Sequence, residues 1–371
     1  MMRSWRVLAL AVAATTLAGC AASADRGAVP QRGYPPAQAA LAALRGQVLA
    51  TGPNGEAPAS ASSVTLSPDE IAQVKAKKAT AAIVMHYTGD GWTDSQIAGL
   101  RQQFGELGIE VIAVTDAGFQ PDKQVSNMQQ LLAQKVAAII FYPLDPKATI
   151  PVLKQAQKQK VPVIAIDASF GNTKPVPLIT TQVWQGRDIQ AFLQAQVLAK
   201  VKPNAQLGLI GIGIPVPAIK YLNQREAFWA KKVGKATIVG SQDNPSDDVT
   251  GGEKAANALL QQGSSIDAVL GYNDPSALGA VIAARGAGRT LTIIGINGTS
   301  DGIAGVKSGT LAATVQVDPI GIGSQAARAA YSLITKQHLP LARIVIRPGR
   351  LVTKANVGSL ASWDAELKRV K

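Results

Sequence analysis

Short apolar runs alternate with segments of helical spacing along the chain from Thr80 onward. Each unit of run, polar loop and helical segment takes roughly 25 to 30 residues, the length of a strand–helix–strand unit. Between the first two runs, apolar residues recur every three or four positions, as one face of a helix requires: Ile97, Leu100, Phe104 and Leu107. The apolar runs predict these strands: Ala81–His86, Glu110–Thr115, Ala137–Tyr142, Val161–Ile166, Leu178–Thr181, Gln206–Ile212, Ala236–Gly240, Ala268–Gly271, Leu291–Ile296 and Ala312–Val317.

Such continuously apolar strands, alternating with helices, are typical of parallel sheets buried on both faces. One sheet of ten strands is wider than usual, whereas two sheets of five are common. We therefore expect an α/β protein with two doubly wound parallel-sheet lobes.

The N-terminus has the layout of a secretory signal peptide over residues 1–19. Arg3 and Arg6 precede an apolar run, Val7–Leu17, which is shorter than the roughly 20 residues that span a bilayer. The run ends Leu17-Ala18-Gly19-Cys20, which resembles the lipobox of bacterial lipoproteins and predicts a lipidated Cys20. Cleavage after Ala22-Ser23-Ala24 is the alternative, and it leaves no lipid. Both interpretations predict an exported protein, periplasmic or on the cell surface, and the first anchors it to the membrane.

Residues 20–66 are rich in Ala, Pro, Gly and Ser, a composition typical of a flexible tether. A helix start follows, with Ser67 as the cap, Pro68 in the first helical position and Glu70 three residues after the cap. The folded body is expected to begin there.

Composition and charge exclude several kinds of chemistry. The 371 residues contain one cysteine and two histidines, His86 and His338, which argues against a disulfide framework, a zinc site or a metal cofactor. The formal charge is +13, and loss of residues 1–19 with two arginines lowers it to +11. Because an exported protein does not meet nucleic acid, we read this charge as a solvated surface with weak attraction to anionic lipid.

In parallel sheets of this kind, ligands bind beyond the carboxyl ends of the strands. The residues that follow the predicted strands are polar and varied; they include Asp90, Trp92, Asp167, Asn273 and Asn297. His86 ends the first strand, where it either faces the cleft or is a satisfied strand-end histidine.

At these strand ends the sequence resembles the ribose and galactose type of periplasmic sugar-binding protein, the receptors of ABC importers. The resemblance extends over roughly residues 80–353. It rests on an ordered set of segments: Gln129–Leu132, Ala138–Ile140, Pro143–Pro146, Val161–Asp167, Tyr272–Ala280, Ile294–Thr299 and Gly309–Val315. Cytoplasmic repressors share the fold but need an N-terminal DNA-binding domain, and this chain has a signal peptide and a tether instead.

The resemblance implies two lobes joined by a three-crossing hinge, with a sugar held in the cleft and the lobes closing over it. The lobes would comprise residues 67–182 plus 317–343 and 183–316 plus 344–371, with crossings near Thr181–Trp184, Val315–Asp318 and Ala342–Val345. The implied partners are a small-molecule sugar or polyol and the subunits of an ABC permease. The protein would act as a monomer without enzymatic activity or a cofactor.

The resemblance also implies ligand contacts. Trp92 matches the aromatic that stacks on the sugar ring, although a tryptophan at a helix start is also a common core residue. Asp90 is a candidate hydrogen-bond acceptor or a helix N-cap, and Asp167 is a candidate hydroxyl acceptor or a loop cap. In the second lobe the candidates are Arg225, with Gln224 as the rival register and a solvated arginine as the alternative, and Asn273.

Departures from the family pattern bear on the ligand. Asn297 stands where the family usually has Asp, so a charge-assisted hydrogen bond becomes a neutral one. Ala168 replaces an arginine found in some members, and residues 246–248 lack the common second-lobe aromatic. Gln316 lies one position from the glutamine expected at the last hinge. These departures favour a short polyol or a modified sugar.

Two other functions stay open. Residues 298–302 satisfy the G-x-S-x-G nucleophile pattern, with Ser300 as the nucleophile and Asp318 and His338 following in the order of a serine hydrolase. A receptor for a signal molecule or nucleoside on the same scaffold is the other alternative.

Overall fold

The structure, a computed structural model, describes residues 59–60, 67–167, 181–184, 186–262, 265–335, 343–345 and 349–370. The predicted signal peptide, Cys20, Ala168, His338 and nearly all of the predicted tether lie outside these ranges, as do residues 178–180 of one predicted strand. Within the described ranges, none of the helices combines the length and apolarity needed to cross a membrane.

The strands are β1 Ala59–Ser60, β2 Thr80–Met85, β3 Glu110–Asp116, β4 Ala138–Phe141, β5 Val163–Ile166, β6 Thr181–Trp184, β7 Gln206–Ile212, β8 Thr237–Asn244, β9 Ala268–Gly271, β10 Thr292–Asn297, β11 Ala313–Gln316, β12 Arg343–Val345 and β13 Arg350–Thr353. The helices are α1 Pro68–Lys77, α2 Gly91–Leu107, α3 Pro121–Ala133, α4 Ile150–Lys158, α5 Arg187–Val201, α6 Pro217–Lys232, α7 Val249–Gln262, α8 Asp274–Gly286, α9 Ser300–Ser308, α10 Pro319–Ile334 and α11 Trp363–Val370. A short 3₁₀ helix covers Val357–Ser359.

The strands form two sheets, and we call each sheet with its helices a lobe. The first sheet has seven strands in the order β1-β12-β6-β5-β4-β2-β3, and the second has six in the order β13-β11-β10-β9-β7-β8. All pairs are parallel except β11 with β13. The α/β class with two parallel-dominated sheets is therefore confirmed.

The sheets are wider than the five strands each that the pattern predicts. β13 is an unpredicted, antiparallel edge strand of the second sheet. At the edge of the first sheet, Ala59 and Ser60 of the predicted tether pair with β12. Two- to four-residue edge strands contain too few side chains to show a period, so the pattern does not detect them.

The central strands are apolar throughout because helices cover both faces of each sheet. Every residue of β4, β5 and β9 is buried. In the first lobe, alternate residues of β2 enter two cores: Ile83 joins one cluster and Val84 the other. A core on each face fixes the direction of the strands and hence the edge at which their carboxyl ends lie.

The chain changes sheets three times among the described elements: after β6, after β11 and after β12. β6 and β12 stay in the first sheet through Trp184 and Val345. The sequence places the corresponding lobe limits two residues earlier, after residues 182 and 343. Those limits stay a prediction. After β13 the chain continues to α11, which lies against α2 of the first lobe.

Candidate functional site

A cavity of about 180 Å³ lies between the lobes, at the carboxyl ends of both sheets. Its volume is that of about six water molecules at roughly 30 Å³ each, the size class of a monosaccharide or small polyol. The first lobe contributes His86, Asp90, Gly91, Trp92, Phe119 and Tyr142. The second contributes Arg187, Asp247, Tyr272, Asn273, Asn297 and Thr299, together with the apolar Ile212, Val216, Ile219 and Pro275. Trp363, the first residue of α11, completes the lining.

Four rings, from the segments that follow β2, β3 and β4 and from the first turn of α2, form the wall of the first lobe. His86 stacks on Tyr142 with ring centroids 3.9 Å apart, and it meets Phe119 and Trp92 edge-on. Trp92 also meets Tyr142 edge-on at 5.9 Å. Burial lowers the pKa of His86 to about 3, so its imidazole is neutral at physiological pH. The wall therefore offers ring faces for apolar C–H surfaces and no positive charge.

Asp90 and Trp92, both predicted from the sequence, lie in the cavity lining. Asp90 caps α2: its Oδ1 accepts hydrogen bonds from the backbone N–H of Trp92 at 2.7 Å and of Thr93 at 2.8 Å. The cap fixes the first turn of α2 and so positions the indole of Trp92. Burial raises the pKa of Asp90, and the hydrogen bonds from Thr93 and Trp92 oppose that rise. Capping and ligand contact, the two alternatives for Asp90, are compatible in this geometry.

Asp167 lies behind the cavity wall and not in its lining. It is fully buried after β5, pairs with Arg187 Nη2, and accepts a hydrogen bond from the Tyr142 hydroxyl at 3.1 Å. Its φ of 47° is left-handed, an uncommon conformation for a residue with a side chain. Arg187 and Tyr142 line the cavity themselves. Asp167 therefore orients two lining residues, and its predicted contact with a ligand stays a prediction.

Asn273 and Asn297 also lie in the lining, as the sequence predicts. Asn273 caps α8 through its Oδ1 and donates from Nδ2 to Asp247 Oδ1 at 2.7 Å, an atom that the Tyr272 hydroxyl also contacts. Asn297 ends β10 with a φ of 114°, outside the regions that non-glycine residues favour. Strained residues of this kind cluster at binding sites.

Two further predicted residues, besides Asp167, lie outside the lining. Arg225 Nε pairs with Asp188 Oδ1, and its guanidinium covers the ring of Phe228 at 4.2 Å, while its rival Gln224 is exposed. Gln316 Nε2 donates to the carbonyl of Ala361 at 2.7 Å, and its Oε1 accepts from Arg350. Gln316 thus joins the end of β11 to the C-terminal segment. For both residues, contact with a ligand stays a prediction.

Sequence reasoning missed Tyr142, Arg187, Asp247 and Trp363. Tyr142 and Asp247 follow strands, so the strand-end rule was the available signal for them. Arg187 begins α5, directly after a crossing between the lobes, where no strand-end rule applies. Trp363 is distant in sequence from every motif, and only packing of α11 brings it to the cavity.

The serine-hydrolase alternative finds no support in the contacts of Ser300. Its Oγ contacts Asp364 and lies 3.2 Å from Ser362 Oγ, both in the C-terminal segment. Asp318, the predicted acid, caps α10 by accepting from the N–H of Gly321 at 2.7 Å. His338 lies outside the described residues. Among the described residues, no cluster of three or more potential ligands could hold a metal ion.

The chain is similar to known solute-binding proteins. A family model described as a periplasmic binding protein domain matches residues 81–338. The ribose import binding protein of Bacillus subtilis is 30% identical over 236 residues, which cover 64% of this chain and 75% of that protein.

Solved structures share the fold. A solute-binding protein from Bacillus halodurans with bound myo-inositol superimposes with a TM-score of 0.68 at 21% identity, over 78% of this chain and 98% of that one. One from Actinobacillus succinogenes with bound D-allose gives a TM-score of 0.68 at 22% identity, over 76% and 100%.

Proposed function

Because the chain belongs to the periplasmic binding protein family, we propose that it captures a sugar or polyol between its lobes and delivers it to an ABC import permease. Its relatives are named or solved with ribose, myo-inositol and D-allose, which are polyhydroxylated molecules of one size class. The cavity suits that class, since its volume is about 180 Å³.

One observation carries this proposal: a small cavity, lined by both lobes, that combines aromatic faces with side-chain acceptors. Trp92, Tyr142 and Trp363 supply rings for the apolar face of a sugar. Asp90, Asn273 and Asn297 of the same lining supply polar side chains, which hydrogen bonds to the hydroxyl groups of a sugar require. Residues from both lobes touch the same small volume, so a ligand bound there stabilises the closed arrangement.

The family consists of binding proteins, and this one acts by binding. Calorimetric titration with ribose, D-allose, myo-inositol and xylitol tests the proposal directly. We expect at least one of them to bind near micromolar affinity, which corresponds to about −8 kcal/mol. Absence of binding by all four, together with turnover of an activated ester that stops in Ser300→Ala, would favour the hydrolase.

Export and anchoring form a separate part of the proposal. The layout of residues 1–19 and the segment ending at Cys20 support a periplasmic or cell-surface receptor held by acylated Cys20. Metabolic labelling with palmitate tests the anchor: the label is expected on the wild type and absent from Cys20→Ser. Retention of the label by Cys20→Ser would contradict it.

We infer that the mature protein acts as a monomer, which light scattering checks.

A further inference from the structure

The charges in the cavity lining do not balance. Asp90 enters from the first lobe and Asp247 from the loop after β8 of the second. The one cation among the described lining residues is Arg187, and its guanidinium is engaged by Asp167 and by Gln190 Oε1 at 3.4 Å. Asp90 is near enough for its charge to raise the pKa of Asp247 further, beyond the effect of burial. Two carboxylates therefore face one small space, and the basic group among the described lining residues is already paired with Asp167.

The hydrogen bonds inside the protein leave acceptors for a ligand. The hydrogen bonds from Trp92 and Thr93 N–H to Asp90, and from Tyr272 and Asn273 to Asp247, all fall on Oδ1. The Thr93 hydroxyl also lies close enough to the Asp90 carboxyl to lower its pKa. Two donors of the lining are already used: Thr299 Oγ1 donates to Asp274, and Trp363 Nε1 donates to the carbonyl of Asn297. Since a carboxylate only accepts hydrogen bonds, a ligand that fits between Asp90 and Asp247 has hydrogen-bond donors on the part that lies there.

A second, independent feature of the lining also requires a hydrogen-bond donor on the ligand. His86 is 6% exposed, and its Nδ1 is buried without a hydrogen-bond partner among the described residues. Its imidazole is neutral, so one ring nitrogen accepts. The rings of Trp92 and Trp363, which line the same cavity, attract a cation to their faces.

We propose that the solute carries a primary ammonium group on a small polyhydroxylated frame, as in an amino sugar or an aminated polyol, with the ammonium held between Asp90 and Asp247. This inference rests on the proposed function and narrows its ligand class. An ammonium has three donors and no acceptor, so it donates to the carboxylates of Asp90 and Asp247 and to a third acceptor such as His86. It also neutralises part of the negative charge of the two carboxylates, which a neutral polyol leaves uncompensated in the cavity.

The protein as a whole does not attract cations. Its formal charge is +13, so long-range electrostatics disfavours the approach of an ammonium ion. A preference for an amine over its hydroxyl counterpart therefore reports on the cavity and not on the surface.

Matched pairs of compounds test this inference by calorimetry on the full-length protein at pH 7.5. The pairs are myo-inositol with scyllo-inosamine, D-galactose with D-galactosamine, and xylitol with 1-amino-1-deoxyxylitol; N-acetyl-D-galactosamine is the neutral control. We expect at least one amine to bind tenfold or more tightly than its hydroxyl partner, and acetylation to abolish that advantage. Asp90→Asn and Asp247→Asn should each reduce the advantage to threefold or less. Asp243→Asn, an exposed carboxylate of β8, should leave it unchanged.

The outcomes separate this inference from the function on which it rests. If hydroxyl compounds bind and no amine binds more tightly than its partner, the inference is overturned and the sugar or polyol receptor stands. An amine advantage that persists in both Asp90→Asn and Asp247→Asn overturns it as well. If none of the compounds binds, both the inference and the proposed function fail.

Discussion

Trp363 Nε1 donates a hydrogen bond of 2.8 Å to the backbone carbonyl of Asn297. Asn297 ends β10 in the second lobe, whereas Trp363 begins α11, which lies against α2 of the first. The indole also covers Gly91 at the start of α2, where an added Cβ would sit 3.5 Å from the ring. One side chain thus joins the two lobes at the cavity and forms part of its lining.

Substitution of Trp363 should separate these two roles. Trp363→Phe keeps a ring in the cavity and removes the hydrogen bond, so we expect ligand affinity to fall about three- to tenfold, the worth of one neutral hydrogen bond. Trp363→Ala also removes the ring and should weaken binding by a further tenfold or more. Calorimetric titration with the best ligand of the screen measures both. Equal affinities for Trp363→Ala and the wild type would place the ligand elsewhere.

Trp92 should be required for binding but not for folding. It is only partly buried at the edge of the first-lobe core, so Trp92→Ala should cost ligand affinity a hundredfold and the melting temperature a few degrees. Phe228→Ala is the matched control, since Phe228 is an exposed aromatic on α6 outside the lining. Thermal shift with and without ligand measures the effect. Ligand-induced stabilisation that survives in Trp92→Ala contradicts the stacking role.

Breaking the buried ion pair behind the cavity should destabilise the fold. Asp167 and Arg187 are 0% and 3% exposed, so Asp167→Asn leaves a buried guanidinium without its counter-ion, at a cost of about 3–5 kcal/mol. The double variant Asp167→Asn with Arg187→Met should lose less than Asp167→Asn alone. Urea unfolding measures these free energies.

An exposed ion pair gives the control for this experiment. Lys202 and Asp267 lie 3.0 Å apart and are 40% and 34% exposed, so Lys202→Met should cost less than about 1 kcal/mol. A loss in Asp167→Asn no larger than that of Lys202→Met would show that the buried pair contributes little.

Glu226 should make stability depend on pH. It is fully buried on α6, and burial raises its pKa to about 8, against the hydrogen bond from Asn223. Its Oε1 and Gln194 Oε1 are both buried acceptors without a donor among the described residues, and Gln194 lies within hydrogen-bond reach of the carboxyl. A proton on Glu226 turns one of these acceptors into a donor.

The folded state therefore holds a proton that the unfolded chain releases between about pH 4.5 and 8. Stability from this group is present below that window and is lost as the pH rises through it, by on the order of a few kcal/mol. The melting temperature should fall from pH 5 to 8.5, and Glu226→Gln should reduce the fall. Glu110→Gln, at an exposed position, is the control. An unchanged pH profile in Glu226→Gln would rule out this proton.

Much of the fold follows from local pattern. β7 and β9 occupy the residues that the apolar runs predict, Gln206–Ile212 and Ala268–Gly271. β8 is the clearest difference: it continues to Asn244, four residues past its predicted end, through polar positions. There the parallel pairing with β7, and not hydrophobicity, extends the strand.

The sequence by itself determined the fold class, the carboxyl edges of the two sheets and the lining residues closest to the strands: Asp90, Trp92, Asn273 and Asn297. These follow from periodicity and from the strand-end rule, which act over a few neighbouring residues.

Only the tertiary structure decided that Asp167 is paired behind the wall by Arg187, that Asp247 and Asp90 line the same cavity, and that Trp363 enters it. Each of these relationships joins residues from different elements, and some join different lobes. No local pattern encodes such contacts, because the crossing and packing of distant segments, not their spacing along the chain, sets the distances between them.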